Sequence, residues 1–184
     1  MHAPPTLRCV HETADDLRGL QELLDSSYER AGAHLKTIHT SERRVHAQDL
    51  SDILRGVRVL NLATVTARCE PRVGPVDGLF YRGHFWFGSA DNSLRFHHLR
   101  ARPQCSGSHV VGETFAVIVH GRATEVNVAD PQHAGFKDML YEVYPDWDDW
   151  YSGDPPPYAR IDATTMFAYA FEPSVLEELR RAGI

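Results

Sequence analysis

Residues 62–103 read LATVTARCEPRVGPVDGLFYRGHFWFGSADNSLRFHHLRARP. The stretch opens inside a run, VRVLNLATVTA from residue 57, that is rich in β-branched and apolar residues and suits a pleated, half-buried surface. ARCEPR then supplies a Pro-containing turn, and RVGPVDGLFY a second strand. Pro75 inside it marks an edge or a bulge, because proline has no N–H to give to a ladder. Arg82-Gly83 is a tight hairpin link, and HFWFGS is the third strand. There the aromatic run stops. A short helix is predicted from about Ser93 to Arg100, ending before Pro103. It gathers Arg95, Arg100 and Arg102 beside His97 and His98, in a chain of net charge −6.

Working outward, more strands follow. One is predicted near 104–111, and TFAVIVHGRATEVN after the Gly112-Glu113 turn is another. DPQHAGFKDMLYEVYP returns to helix, with Asp130 as cap and Pro131 in the first turn. DWDDWYSGDPPPYAR reads as an aromatic, proline-rich loop, TTMFAYAFEP as the last strand and SVLEELRRAG as a terminal helix. Upstream, Thr13 or Asp15 caps ADDLRGLQELLDSSYERAG, where Leu17, Leu20, Leu24 and Tyr28 recur at helical spacing and Gly32 is the stop. A second helix is predicted from Ser41 to Gly56, with Leu50, Ile53 and Leu54 inward. Consecutive strands joined by tight turns point to a mainly β (α+β) fold, an antiparallel barrel; a βαβ nucleotide fold fits poorly. The expected division is an N-terminal helical extension over 1–44 and the barrel over 45–184.

Composition narrows the function classes. At 184 residues with 42% hydrophobic residues, the chain can bury a sizeable core. It has no apolar run of membrane-spanning length and its start lacks an apolar signal core, so no membrane association and a cytoplasmic location are expected. Cys9, Cys69 and Cys105 show no CxxC spacing, which argues against a disulfide framework or a thiolate metal site. The acidic balance argues against a nucleic-acid partner. No G-x-S-x-G elbow supports a hydrolase triad. Arginine outnumbers lysine 17 to 2, a bias that accompanies GC-rich genomes.

The arginine cluster has a physical use. A helix N-terminus presents unpaired N–H groups and the positive end of a dipole. With the hydroxyls of Ser89 and Ser93 beside it and Arg95 able to give parallel charge-assisted hydrogen bonds, the segment can hold a phosphate. The same residues also suit a solvated helix face merely capped by Ser93. In order and spacing, Leu62–Val65, Pro71, Val73–Val76, Phe85–Ser89, and Ser93, Arg95, His98 and Leu99 resemble the flavin-binding split β-barrel family, the pyridoxamine 5′-phosphate oxidase-like proteins. Val119, Gly121 and Ala123 resemble that family's later strand.

The resemblance implies a homodimer with a flavin-type cofactor in each interface groove. The phosphate would lie near Ser89, Ser93, Arg95 and His98, and the ring along Arg72, Val73, Pro75 and Val76. FMN is the commonest occupant of such barrels; the deazaflavin coenzyme F-420 and haem are the alternatives. The expected activity is hydride transfer between the cofactor and a small conjugated or carbonyl substrate, with His120 or Tyr158 as proton donor. A haem-binding protein or a cofactor carrier without catalysis is the other reading. Among the histidines, His109 and His120 fall on neighbouring strand regions, a placement that allows them to face each other. Trp147, Trp150 and Tyr158 are candidates for stacking on a ring or lining a substrate pocket, and equally for a packed lid. No resident metal is expected. The chain departs from true pyridoxamine phosphate oxidases in having no lysine between Lys36 and Lys137, so their phosphate clamp and their reaction are not expected. Cys69-Glu70 replaces the usual Asp-Gly of the first turn.

Overall fold

The structure, a computed structural model, describes residues 11–182. Cys9 and the start of the chain, read above for a signal core, lie outside these residues. Thr13 and Asp16 form a reciprocal capping box: Asp16 N–H donates to Thr13 Oγ1 at 3.2 Å and Thr13 N–H to Asp16 Oδ2 at 2.8 Å. This starts α1, Ala14–Arg30, followed by α2, Ala33–Ile38, a 3-10 turn at Ser41–Arg43, and α3, Ala47–Ile53. The single helix expected from Ser41 to Gly56 is therefore broken. Arg44 bridges to Tyr169, and Val45 N–H donates to the Ala168 carbonyl at 3.2 Å. A tertiary bond to the last strand outweighs the local helical preference there. Leu50, Ile53 and Leu54 are buried as expected.

The strands are β1, Val57–Val65; β2, Pro71–Tyr81; and β3, His84–Gly88. Then come α4, Leu94–Ala101; β4, Gln104–Val111; β5, Phe115–Val126; α5, Ala134–Val143; β6, Tyr158–Ala170; and α6, Pro173–Ala182. They close into an antiparallel barrel in the order β1-β2-β3-β6-β5-β4, with β4 pairing back onto β1. Arg82 and Gly83 both have positive φ, 51° and 79°, the primed turn that matches strand twist. One strand boundary moved. β6 begins at Tyr158 rather than near Thr164, because Tyr158–Arg160 pair with β3 on one side and β5 on the other. A bulge at His120/Gly121 interrupts the β5–β6 register, and a Cβ at Gly121 would collide with the Asp162 carbonyl oxygen.

Alternate residues such as Leu60, Phe85, Phe87, Val117, Ile161 and Met166 fill the main core. A second core lies between the outer face of the barrel and α5, where Phe136 stacks on Trp86 at 4.1 Å between centroids. Trp147 is fully buried in this second core. It packs the fold and is not available for stacking on a ligand.

The shortness of β3 splits the barrel twice. β3 reaches β2 only over Gly78–Tyr81 and β6 only over Tyr158–Arg160. At one end the rest of β6 has an open edge, and α1 covers it. Met166 N–H donates to Ser27 Oγ and Ala168 N–H to Tyr28 Oη, each at 3.0 Å, while Tyr28 O–H donates to the Ala168 carbonyl. Leu20, Leu24 and Tyr28 join the main barrel core. At the other end, residues 71–77 of β2 have β1 on one side and no strand on the other. Among the described residues no helix is long and apolar enough to cross a membrane, and no group of three His, Cys, Asp or Glu is placed to hold a metal ion.

Candidate functional site

The open edge of β2 is where most of the predicted site residues meet. Ser93 caps α4, its Oγ accepting from Phe96 N–H at 3.3 Å. That fixes the direction of the helix and carries Arg95 across the gap to β2. Its Nη2 donates to the Pro75 carbonyl at 3.2 Å and its Nη1 reaches Ser89 Oγ at 3.5 Å. A strand residue points its C=O and N–H to the same edge, so Pro75 has its missing N–H where no ladder partner stands. By the same alternation the amides of Val73 and Asp77 face the open edge. A Cβ at Gly74 would lie 3.4 Å from Arg95 Nη2, so glycine lets the guanidinium rest against the strand. Burial pulls the Arg95 pKa down from its ordinary value, but a guanidinium stays charged.

Between α4 and the end of the β1–β2 hairpin lies a groove of ≈ 340 Å³, lined among others by Thr64, Thr66, Arg72, Leu94, Arg95 and His98. Thr64 stands opposite Arg72 in the register, and its Oγ1 is 3.0 Å from His98 Nδ1. Arg72 is held by an exposed ion pair to Glu70 at 2.7 Å. The groove thus offers two guanidinium groups, an imidazole and two hydroxyls beside the apolar Leu94, which is 76% exposed. That donor set suits an anionic tail attached to a flat body.

The structure divides the other predicted residues. Val76 turns its side chain into the main core, and by the same alternation its backbone polar groups face β1 rather than the open edge. Val73 and Pro75 are exposed on the opposite face of β2 from Arg72. Of the three clustered arginines, Arg100 is engaged elsewhere: it pairs with Glu125 at 2.7 Å and with Asp91 at 2.5 Å, hydrogen bonds that raise its pKa. Tyr158 lies beside Ser89 in a neighbouring pocket, and burial pushes its hydroxyl up to about 12. His120 is on the outer face, 2.8 Å from Ser106 Oγ. It stands opposite Thr165, whereas Tyr158 stands opposite Val126, which separates the two by roughly 20 Å along the ladder. His109 does not face His120. It pairs with Val117, points inward and is buried, its Nδ1 donating to the Val59 carbonyl at 3.0 Å.

Thr64, Thr66, Gly74 and Leu94 had not been singled out from the sequence. The strand alternation that puts Thr64 and Thr66 on one face with Leu62 was their only signal.

No protein-family model matches the sequence, and no curated protein matches it significantly. Solved structures do. A conserved hypothetical protein, Rv2991 from Mycobacterium tuberculosis, superposes with a TM-score of 0.59 at 18% identity, over 79% of this chain and 92% of that one. HutZ, a haem storage protein from Vibrio cholerae, gives 0.57 at 15% identity, over 68% and 95%. An FAD-binding protein from Mesorhizobium loti gives 0.54 at 22% identity, over 69% and 96%. At these identities the likeness is one of fold, and it agrees with the class that the strand order defines: a six-stranded antiparallel split β-barrel carrying peripheral helices. Proteins of this shape include flavin binders and haem binders.

Proposed function

We propose that the protein is a homodimeric oxidoreductase that holds a flavin or deazaflavin by its phosphate at Arg95. The observation that carries this reading is the guanidinium itself, laid across the open edge of β2 between Ser89 and the Pro75 carbonyl. Arg72, Thr64, Thr66 and His98 complete the anion site, with FMN the first candidate and F-420 the second. The Val73 and Asp77 amides are the donors left on the edge for a ring's polar rim. Bound there, the cofactor supplies the hydride chemistry. The chain's own residues orient it and keep a proton available. Tyr158 serves the second purpose: its phenol, protonated at neutral pH as tyrosines ordinarily are, lines the pocket beside Ser89. A small conjugated or carbonyl substrate fits that arrangement. A second copy of the chain is supported by exposed apolar residues on adjoining strands, Val59, Val73 and Val110, which a partner would cover.

A haem-binding reading has two supports. His98 Nδ1 is engaged by Thr64, which leaves Nε2 as the ligating atom, and one structural neighbour is described as a haem storage protein. An absorption spectrum of the purified protein, recorded with its sedimentation, separates these readings. Flavin or single deazaflavin bands on a species of twice 20.7 kDa are expected. A Soret band moves the protein to the haem class, and failure to bind any of the three cofactors when they are added overturns both.

A further inference from the structure

A second pocket of ≈ 320 Å³ opens on the other side of Ser89, and its walls are of a different chemistry. Leu79 and Tyr158 form its floor, Tyr144 and Trp150 stand over it, and Asp77 of β2 supplies a carboxylate. The Tyr144 and Trp150 rings meet edge to face at 4.7 Å between centroids and 61°, so they present differently oriented π surfaces to one space. Trp150 is 58% exposed, an unusual state for an indole with nothing to cover it. Gly88 allows the floor to form: a Cβ there would come within 2.8 Å of the Tyr158 ring. Among the described residues Asp77 makes no ion pair; its Oδ2 accepts a hydrogen bond from Tyr144 O–H at 3.2 Å.

An unneutralised carboxylate beside several aromatic rings has one natural complement. The negative faces of the rings and the carboxylate both attract positive charge, and the ring faces exclude water. We infer that this pocket binds a small organic cation, an alkylated or protonated amine, seated against Tyr144 and Trp150 with its charge toward Asp77. It adjoins the Arg95 groove across Ser89, and its Asp77 carboxylate and the Tyr144 and Trp150 rings are side chains that the proposed phosphate site does not use. A neutral ligand of the same size would forfeit the carboxylate and the ring quadrupoles, and an anion would be repelled.

The test is calorimetric titration of the full chain with choline and with its uncharged isostere 3,3-dimethylbutan-1-ol, at constant ionic strength. Choline should bind at least about tenfold more tightly than the isostere. Asp77→Asn should remove most of that preference, and Trp150→Ala should weaken choline while Trp150→Phe restores part of the loss. Equal affinity for the two probes, or choline binding unchanged in Asp77→Asn, overturns the inference. Circular dichroism of each variant confirms that it is folded before it is scored. The outcome is separable from the cofactor reading. Choline binding in a protein that takes up no flavin sinks only the oxidoreductase, and flavin binding without a choline preference sinks only the cation pocket.

Discussion

Arg95 decides the proposed anion site because of where its partners lie, the Pro75 carbonyl on β2 and Ser89 just after β3. Removing it deletes a charge-assisted contact and leaves the Ser89 and Pro75 positions without their donor. Arg95→Ala should weaken binding of FMN or deazaflavin about ten- to a hundredfold, the equivalent of roughly 1.5–3 kcal/mol. Arg95→Lys should recover only part, because an ammonium cannot span both partners in a plane. Affinity unchanged in a fluorescence titration of either variant would move the phosphate to another place. Arg100 makes the useful contrast. It is held by Glu125 and Asp91, so its replacement by alanine should leave cofactor affinity close to that of the parent. At this scale Arg95 was legible in the sequence, since a serine cap two residues earlier fixes its place on the first turn. The engagement of Arg100 by Glu125 was not, because those residues lie on different elements and no local pattern joins them.

At the scale of elements, α1 works as a substitute strand. Its Ser27 and Tyr28 hydroxyls satisfy backbone groups of β6 that β3 is too short to reach. Tyr28→Phe removes the hydroxyl that both accepts from Ala168 N–H and donates to its carbonyl, in a site where Tyr28 is 3% exposed. The expected cost is about 1–3 kcal/mol of stability, read as a lowered urea midpoint with an unchanged slope. A midpoint equal to that of the parent would show that water replaces the phenol at no cost. The same elements show why sequence reading ran out where it did. The β2–β3 hairpin was clear, because Arg82-Gly83 and the flanking aromatics are local signals. The break at Arg44–Val45 was invisible, because its cause is a strand more than a hundred residues downstream. The start of β6 was hidden because Arg160 and Asp162 interrupt the apolar pattern. They pair with each other at 2.7 Å on the outer face, so the interior alternation through Ala159 and Ile161 survives unnoticed. Trp147 stayed open between ring stacking and a packed lid for a related reason: its acidic neighbours suggest solvent, while the indole is buried and packs against Tyr141 of α5.

For the whole molecule the most informative perturbation is acid. His39, His84 and His109 sit in three different parts of the fold, and burial lowers the pKa of each below the ordinary 6.5. His39 also faces the Arg44 charge, and His109 the charge of Arg58. His84 is pulled the same way by Arg160 and the opposite way by its hydrogen bond to the Ile161 carbonyl and by Asp162 and Asp16. A histidine held neutral in the fold takes up fewer protons than the same residue unfolded. Its contribution is therefore fully present above the unfolded pKa and is lost as the pH falls below about 6.5. Asp16 and Asp162 raise the demand only at much lower pH: burial pushes them up, but Arg82 and Thr13, and Arg160 and Thr124, outweigh it and hold them below 3.8. The melting temperature should accordingly begin to drop between pH 6.5 and pH 5, above the range in which Asp16 and Asp162 titrate. A flat profile over that interval in scanning calorimetry would mean that the imidazoles are hydrated in the folded state.

The length of β3 has a consequence that reaches beyond architecture. Five residues, His84–Gly88, end where β2 still has its segment 71–77 to run. Two or three further residues of regular extension would hand Asp77 and Pro75 a neighbour, evict the arginine and erase both recesses at once. The recognition proposed for this barrel would be set by the place where one of its staves stops, so the punctuation after Gly88 would matter to it as much as any side chain lining the recesses.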